Sequence, residues 1–190
     1  MQRKNQYLEK AAVRLSRIKA HHHVLELGFG PGIGLSAAYK LVKEGEGKIY
    51  GVDHSSYVLK HAFTSFRKEI REGKVELYRS DVINLPFADN TFDRVFHCNC
   101  FYFWADLEGV AKEIHRVMKP NSLMVTTLSL SSLQQSKTQG HLPGTNTDVL
   151  NYMVALENAS FSNVYIEYLK YKDIPYQAIF AEADKKLVDK

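Results

Sequence analysis

Several residues that could bind a ligand come directly after short apolar runs of the kind that form buried strands. They are Gly28, Gly30, Gly32, Asp53 and Asp81. Glycine allows left-handed backbone geometry and lets a ligand approach the main chain closely. The amides that start the helix after the glycines can receive a carboxylate or a phosphate. An aspartate can accept two hydrogen bonds from a ribose diol, or one from the exocyclic amine of adenine. We therefore expect an adenosine-containing ligand at these residues.

The distribution of apolar residues predicts the elements that must position these groups. Strands and helices alternate through residue 128, which implies a parallel sheet covered by helices on both faces. Two final strands predict an antiparallel hairpin at one edge of this doubly wound α/β sheet. Ligands of such sheets bind beyond the carboxyl ends of the strands, where the strand order reverses. The expected strands are 22–27, 48–52, 75–78, 92–100, 123–128, 163–170 and 174–182, and the expected helices are 6–19, 33–41, 55–70, 107–118 and 147–158.

The composition is that of an ordinary globular protein, and residues 1–190 are expected to form a single domain. Residues 1–20 are expected to form a basic amphipathic helix, and the polar residues 130–146 a long surface loop. The first 20 residues carry six basic side chains and one acidic side chain, in a chain whose net charge is +4. The rest of the chain is therefore close to neutral, and no nucleic-acid surface is expected.

Neither a membrane span nor a signal peptide is expected. No uncharged apolar run reaches the roughly 18 residues that cross a bilayer, and charged residues interrupt the N-terminal segment. The two cysteines, Cys98 and Cys100, lie two residues apart on one predicted strand, which is too far for an easy disulfide. We therefore expect a reduced protein of the cytoplasm.

The spacing of the glycines separates two kinds of adenosine ligand. A dinucleotide-binding fingerprint has a third glycine three residues after the second. Counted from Gly28, that position is occupied by Ile33. This argues against a nicotinamide-dependent oxidoreductase, which stays as a competing hypothesis. No Gly-Lys-Ser/Thr sequence follows the glycines, which excludes a P-loop.

The same segments resemble the class I S-adenosylmethionine-dependent methyltransferases over roughly residues 22–182. The matching motifs are 24–32, 49–55, 80–87, 92–95 and 113–120, and the aromatic run 102–104 is similar to a branch that acts on small molecules. The resemblance implies a Rossmann-like sheet of seven strands with the seventh antiparallel. It also implies S-adenosylmethionine as cofactor, S-adenosylhomocysteine as product, and a segment before the first strand that helps to cover the active site. The residues expected around the cofactor are Glu26, Gly28, Phe29, Gly30, Gly32, Asp53, His54, Asp81, Val82 and Asn99.

Asn99, Tyr102 and Trp104 are the candidates for binding a small-molecule acceptor, although Tyr102 and Trp104 could equally be packing residues. Methyl transfer from a sulfonium is an in-line displacement, so the protein mainly has to align the acceptor and exclude water. No residue is assigned as a general base, and His97, within a predicted strand, is interpreted as a core histidine. The His21–His23 run lacks partner carboxylates or thiols, so no metal is expected.

Two alternatives to small-molecule methyl transfer stay open. One is an inactive module that binds S-adenosylmethionine and serves as a partner subunit, docking through the basic helix at 3–19. The other is a methyltransferase that acts on a nucleic acid or a protein. Turnover with an acceptor, or a partner that co-purifies through the helix, would separate the first alternative from an enzyme.

Overall fold

One mixed sheet of seven strands forms the centre of the molecule. The computed structural model describes residues 6–142 and 146–185. The strands are β1 (His23–Leu27), β2 (Lys48–Asp53), β3 (Val75–Arg79), β4 (Phe92–Cys98), β5 (Met118–Leu128), β6 (Ser162–Tyr171) and β7 (Ile174–Ala183). Their order is β3-β2-β1-β4-β5-β7-β6, with β1 to β5 parallel and β7 antiparallel to both β5 and β6. The predicted doubly wound sheet with an antiparallel C-terminal hairpin is therefore confirmed.

Helices cover both faces of the sheet. They are α1 (Gln6–Leu15), α2 (Ile33–Val42), α3 (Ser56–Ser65), α4 (Arg67–Arg71), α5 (Leu107–Val117), α6 (Leu130–Thr138) and α7 (Val149–Asn158), and a turn of 3-10 helix, Phe101–Phe103, follows β4. Side chains alternate along β1. Leu25 and Leu27 join the core under α5 and α7, whereas Val24 joins the core under α1 and α2. Glu26 has the same parity as Val24, so its carboxyl is directed between α1 and α2.

The N-terminal helix α1 packs against α2, β4 and β5. Leu8 and Ala12 are fully buried there, and the Thr127 hydroxyl donates a 3.0 Å hydrogen bond to the Leu8 carbonyl. The Arg14 guanidinium donates to the Tyr176 hydroxyl at 3.2 Å. The helix ends at Leu15, earlier than expected, and the first five residues of the predicted basic helix lie outside the described part of the chain. In the described part, α1 is thus an integral layer of the fold.

The predicted surface loop over 130–146 is wrong in its first half, where α6 forms. The Ser129 hydroxyl caps this helix by accepting from the Ser132 amide at 3.3 Å, and the Gln177 side chain accepts from the Leu130 amide at 2.8 Å. Only Leu133 of α6 is buried. Leu130 also packs against the core. Two apolar residues in a polar helix leave almost no periodicity in the sequence, so the helix was not predicted. Residues 143–145 of the predicted loop lie outside the described residues.

The single helix expected over 55–70 is also wrong, because the chain forms α3 and α4 with a break at Phe66. The backbone of Phe66 leaves the helical region at φ −103° and ψ 21°. Its ring lies beneath the glycine loop, where a Cβ atom on Gly32 would come within 2.7 Å of the ring. The break therefore directs an aromatic side chain to support the loop after β1.

One arginine of α5 holds the connection between β3 and β4. The Arg116 guanidinium donates to the carbonyls of Phe87 at 2.9 Å and Leu85 at 3.3 Å, and to both carboxylate oxygens of Glu113 at 2.8 Å. The Glu113 carboxylate in turn accepts from the Leu85 amide at 2.7 Å. Bidentate, charge-assisted bonds of this kind fix geometry better than single neutral ones. The network therefore immobilises a connection that begins near Asp81, one of the predicted site residues.

Arg116→Ala is expected to lower the free energy of unfolding by about 1–3 kcal/mol, because two carbonyls and the carboxylates of Glu113 and Asp89 lose a charged partner. Lys112→Ala is the matched control on the same helix. The Lys112–Glu108 pair is exposed to solvent, so its loss is expected to leave the free energy of unfolding unchanged within the error of the measurement. Urea unfolding of both variants measures the difference, and equal losses would contradict a structural role for the Arg116 network.

Candidate functional site

A cavity of about 510 Å³ opens at the carboxyl ends of the central strands. β1 lies between β2 and β4, so this is the place where the strand order reverses. The volume is within the range of small-molecule sites, roughly 300–1,000 Å³. The residues that line the cavity are Gly28, Val52, Asp53, His54, Ser80, Asp81, Val82, Cys98, Asn99, Cys100, Phe103 and Trp104. Six of the ten predicted cofactor residues are among these lining residues.

The glycine loop after β1 forms one wall of the cavity. Gly28, Gly30 and Gly32 have φ values of 64°, 49° and 77°, the left-handed region that side chains with a Cβ atom rarely adopt. A Cβ atom on Gly28 would also come within 2.6 Å of the Cys100 sulfur. The Gly28 amide donates to the Val52 carbonyl at 2.8 Å, which folds the loop back onto the end of β2.

Asp53, at the end of β2, is buried and held by two backbone amides. Its Oδ2 accepts from the Gly30 amide at 3.1 Å and its Oδ1 accepts from the Ser55 amide at 2.9 Å. A carboxylate offers about four acceptor positions, so each oxygen can still accept a further hydrogen bond. The neighbouring His54 side chain is 91% exposed and lies at the lip of the cavity. Asp53 is thus a fixed acceptor on the cavity wall.

Two carboxyl groups meet at the first turn of α2. Glu26 accepts a hydrogen bond from the Leu35 amide, and Glu9 of α1 accepts one from the Gly34 amide. Burial raises the pKa of Glu26 well above its usual value and raises that of Glu9 to about 7. In each carboxyl, Oε2 is buried and has no hydrogen-bond partner among the described residues. The protein's own carboxyls thus bind two of the amides that were expected to receive an external carboxylate or phosphate, those of Gly34 and Leu35, and an anion site at the start of α2 stays a prediction.

Four predicted cofactor residues do not line the cavity. Glu26 is 2% exposed and lies behind it, and the Phe29 ring is buried in the core beside Leu35 and Gly51. Gly30 and Gly32 shape the loop from the outer side, with Gly32 preceding α2. Their expected contribution is therefore to the position of the loop and of Asp53, and their role at the cofactor stays a prediction.

The aromatic run after β4 divides between the cavity and the core. Asn99 lies at the cavity in a left-handed conformation with φ 50°, and Trp104 lines it as well. Tyr102 is not among the lining residues and packs on neighbouring rings instead. Phe103, which was not predicted as a site residue, lines the cavity and is 64% exposed. In a 3-10 turn, residues three apart share a side, which places Phe103 with Cys100 rather than Tyr102.

His97 is a core residue, as interpreted from the sequence. Its Nε2 lies 2.9 Å from the Tyr152 hydroxyl and 2.8 Å from the Thr126 hydroxyl, which links β4 to β5 and α7. Complete burial lowers the pKa of His97 to about 3, so the ring is neutral near pH 7. Across residues 6–142 and 146–185, the structure places no three His, Cys, Asp or Glu side chains where they could share a metal ion. Nor does any helix of those residues have the length and apolar character to cross a membrane.

The amino-acid sequence of the chain is similar to those of known methyltransferases. A methyltransferase domain family matches residues 25–126. The chain is 32% identical over 106 residues to the sterol 24-C-methyltransferase erg6 of Aspergillus fumigatus, which covers 56% of this chain and 27% of that protein. It is 27% identical over 128 residues to the uncharacterized methyltransferase YdaC of Bacillus subtilis, covering 67% of each chain. The chain thus spans about a quarter of the length of the sterol methyltransferase.

The fold is likewise similar to that of solved methyltransferases. The crystal structure of a SAM dependent methyltransferase from Aquifex aeolicus superposes with a TM-score of 0.75 at 21% identity, over 95% of this chain and 93% of that one. The family match covers more than half of the residues, including the glycine loop, Asp53 and Asp81. The chain belongs to the class I S-adenosylmethionine-dependent methyltransferases.

Proposed function

We propose that this protein binds S-adenosylmethionine in the cavity and transfers its methyl group to a small apolar acceptor. The observation that carries the proposal is the Asp53 carboxylate, buried and held by the amides of Gly30 and Ser55 beside the glycine loop. When bound, S-adenosylmethionine supplies an electrophilic methyl group on a sulfonium centre. The residues of this chain bind and orient the cofactor and the acceptor and exclude water.

The residues present fit this cofactor better than they fit a dinucleotide. Asp53 can accept hydrogen bonds from a ribose diol, Asp81 can accept from the adenine amine, and Gly28 allows a close approach to the main chain. At the first turn of α2, where a pyrophosphate would bind, the carboxyls of Glu9 and Glu26 already take the amides. Two carboxyls at this turn disfavour a phosphate, and their Oε2 atoms, unpaired among the described residues, can instead accept from the ammonium group of the cofactor's amino-acid end.

An apolar acceptor of low mass fits the open side of the cavity. Phe103 and Trp104 offer rings, Val52 and Val82 offer aliphatic surface, and Asn99 offers a polar group for orientation. The near-neutral charge of residues beyond the first 20 supports a small molecule over a nucleic acid. The match to a sterol methyltransferase supports the same substrate class.

The two free thiols at the cavity support action in a reducing compartment such as the cytoplasm.

The two thiols of the cavity and the nearby Tyr102 phenol offer no general base for the acceptor. Burial raises the pKa of Cys100 to about 12 and raises the pKa of Cys98 and of Tyr102 further, so these groups stay protonated near pH 7. We infer an acceptor that attacks through a lone pair or a π bond and releases any proton to water. The protein then contributes by aligning this acceptor with Phe103, Trp104 and Asn99 at the open side of the cavity, and not by removing a proton.

Asp53→Asn is expected to weaken binding of S-adenosylhomocysteine at least about tenfold, because an amide nitrogen replaces one acceptor oxygen. Isothermal titration calorimetry measures the affinity, with micromolar binding expected for the wild type and none for NADH. Asp106→Asn is the control, since Asp106 caps α5 away from the cavity and asparagine caps equally well. Absence of S-adenosylhomocysteine binding to the folded wild type would overturn the proposed function.

Phe103→Ala is expected to lower the rate of methyl transfer at least about tenfold, because it removes apolar surface that contacts the acceptor at the open side of the cavity. The affinity for S-adenosylhomocysteine is expected to stay within about twofold of the wild-type value. Turnover is measured as S-adenosylhomocysteine formed with a panel of sterols and smaller apolar alcohols and quinones. Tyr168→Ala is the matched control, an equally exposed aromatic on β6 outside the cavity. Turnover of a protein or nucleic-acid substrate alone would instead favour a methyltransferase that acts on macromolecules. Binding of S-adenosylhomocysteine without any turnover would favour an inactive partner subunit.

A further inference from the structure

The carboxyl of Glu9 lies where the fold offers it no compensating charge. Glu9 sits on the inner side of α1 next to the fully buried Leu8, and it reaches across to the first turn of α2. Its Oε2 is buried without a hydrogen-bond partner, and no basic side chain of the described residues acts on its ionisation. A buried carboxyl without a cation is costly. Such a group is therefore a candidate for binding a ligand.

Glu26 approaches the same turn from the opposite side. The amides of Gly34 and Leu35 are consecutive, so the carboxyls of Glu9 and Glu26 flank one turn of α2 and repel each other. Glu26 is 2% exposed, and its Oε2 is likewise buried and unpartnered within the described part of the chain. Cys98, which lines the cavity, also packs against Leu8 and Ala11 on the inner face of α1. The helix that carries Glu9 therefore lies directly behind the cavity wall.

The chemistry of these two oxygens selects a primary ammonium group. An ammonium carries three N–H donors and one positive charge, which matches two carboxyl oxygens that lack both donors and a cation. These two oxygens do not favour an anion, because the amides of Gly34 and Leu35 already bond the same two carboxyls. S-adenosylmethionine has one ammonium group, on its amino-acid end, and no other primary aliphatic amine.

We propose that Glu9 of α1, together with Glu26 of β1, forms the subsite for the α-ammonium group of S-adenosylmethionine. This inference rests on the proposed function and adds to it a residue from outside the family motifs. It makes α1 a part of the cofactor site rather than a helix that only covers the sheet. Glu9 is a binding residue here and takes no part in the methyl transfer itself.

The test compares S-adenosylhomocysteine with 5′-methylthioadenosine, which has the same nucleoside but lacks the amino-acid group. Glu9→Gln is expected to weaken S-adenosylhomocysteine binding about tenfold and to leave 5′-methylthioadenosine within about twofold. Calorimetric titration measures both affinities. Glu44→Gln, on an exposed side chain, is the matched control and is expected to change neither.

Three results would overturn the proposal. An unchanged affinity of Glu9→Gln for S-adenosylhomocysteine would remove Glu9 from the site while leaving the proposed function intact. Equal weakening of both ligands would mean that Glu9 only supports the fold. Failure of the wild type to bind S-adenosylhomocysteine would remove the proposed function and the ammonium subsite together.

A second prediction needs no variant. Near pH 7 Glu9 is about half protonated, because burial raises its pKa to about 7. An ammonium group lowers the pKa of a neighbouring carboxyl, so binding of S-adenosylhomocysteine is expected to release about half a proton or more. The other titratable groups near α1 are Glu26 of β1, Cys98 of β4, Tyr7 and Tyr176. Burial raises the pKa of the Cys98 thiol and of the Tyr7 phenol, so neither of these two releases a proton at this pH.

The released protons are measured by titrating at pH 7 in two buffers of different ionisation enthalpy. Binding of S-adenosylhomocysteine is also expected to tighten from pH 6 to pH 8, since the carboxyl must lose its proton to pair with the ammonium. 5′-Methylthioadenosine is expected to release no protons. Proton release that is absent with S-adenosylhomocysteine, or the same with both ligands, would contradict the subsite.

Discussion

The two hydrogen bonds that the Asp53 carboxylate accepts from Gly30 and Ser55 are the constraint on which the site depends. They tie the glycine loop after β1 to the start of α3, across the end of β2. The loop can follow this path only because its glycines adopt left-handed backbone. Phe66 supports the loop from below at the break between α3 and α4. One carboxylate therefore organises the wall of the cavity before a ligand arrives, which reduces the ordering that binding requires.

The charge of the site follows from which groups take the amides of α2. A helix N-terminus attracts anions, yet here Glu9 and Glu26 satisfy the amides of Gly34 and Leu35 from within the protein. The turn that binds phosphate in dinucleotide folds here carries two buried carboxyls. Burial raises the pKa of both carboxyls, so they are partly protonated near neutral pH.

Features encoded locally could be predicted from the sequence, and features created by packing could not. The glycine loop, Asp53 and the doubly wound sheet with its C-terminal hairpin follow from residues adjacent along the chain and from the alternation of strands and helices. Glu9 could not be selected, because it is the single acid in a basic segment and meets α2 only through tertiary contact. The helix α6 could not be predicted, because it has no continuous apolar face. Phe103 was missed because it lies in a single 3-10 turn after β4, which is too short to leave a periodic pattern in the sequence.

The burial of the two thiols has a consequence for the integrity of the protein itself. Cys98 and Cys100 line a cavity whose proposed occupant is an alkylating agent. Only a thiolate is a good nucleophile, and burial keeps both sulfurs protonated by raising their pKa values, that of Cys100 to about 12. Cysteine fills the space beside Gly28 without offering a reactive anion. The cavity wall is in this way protected against methylation by the protein's own cofactor.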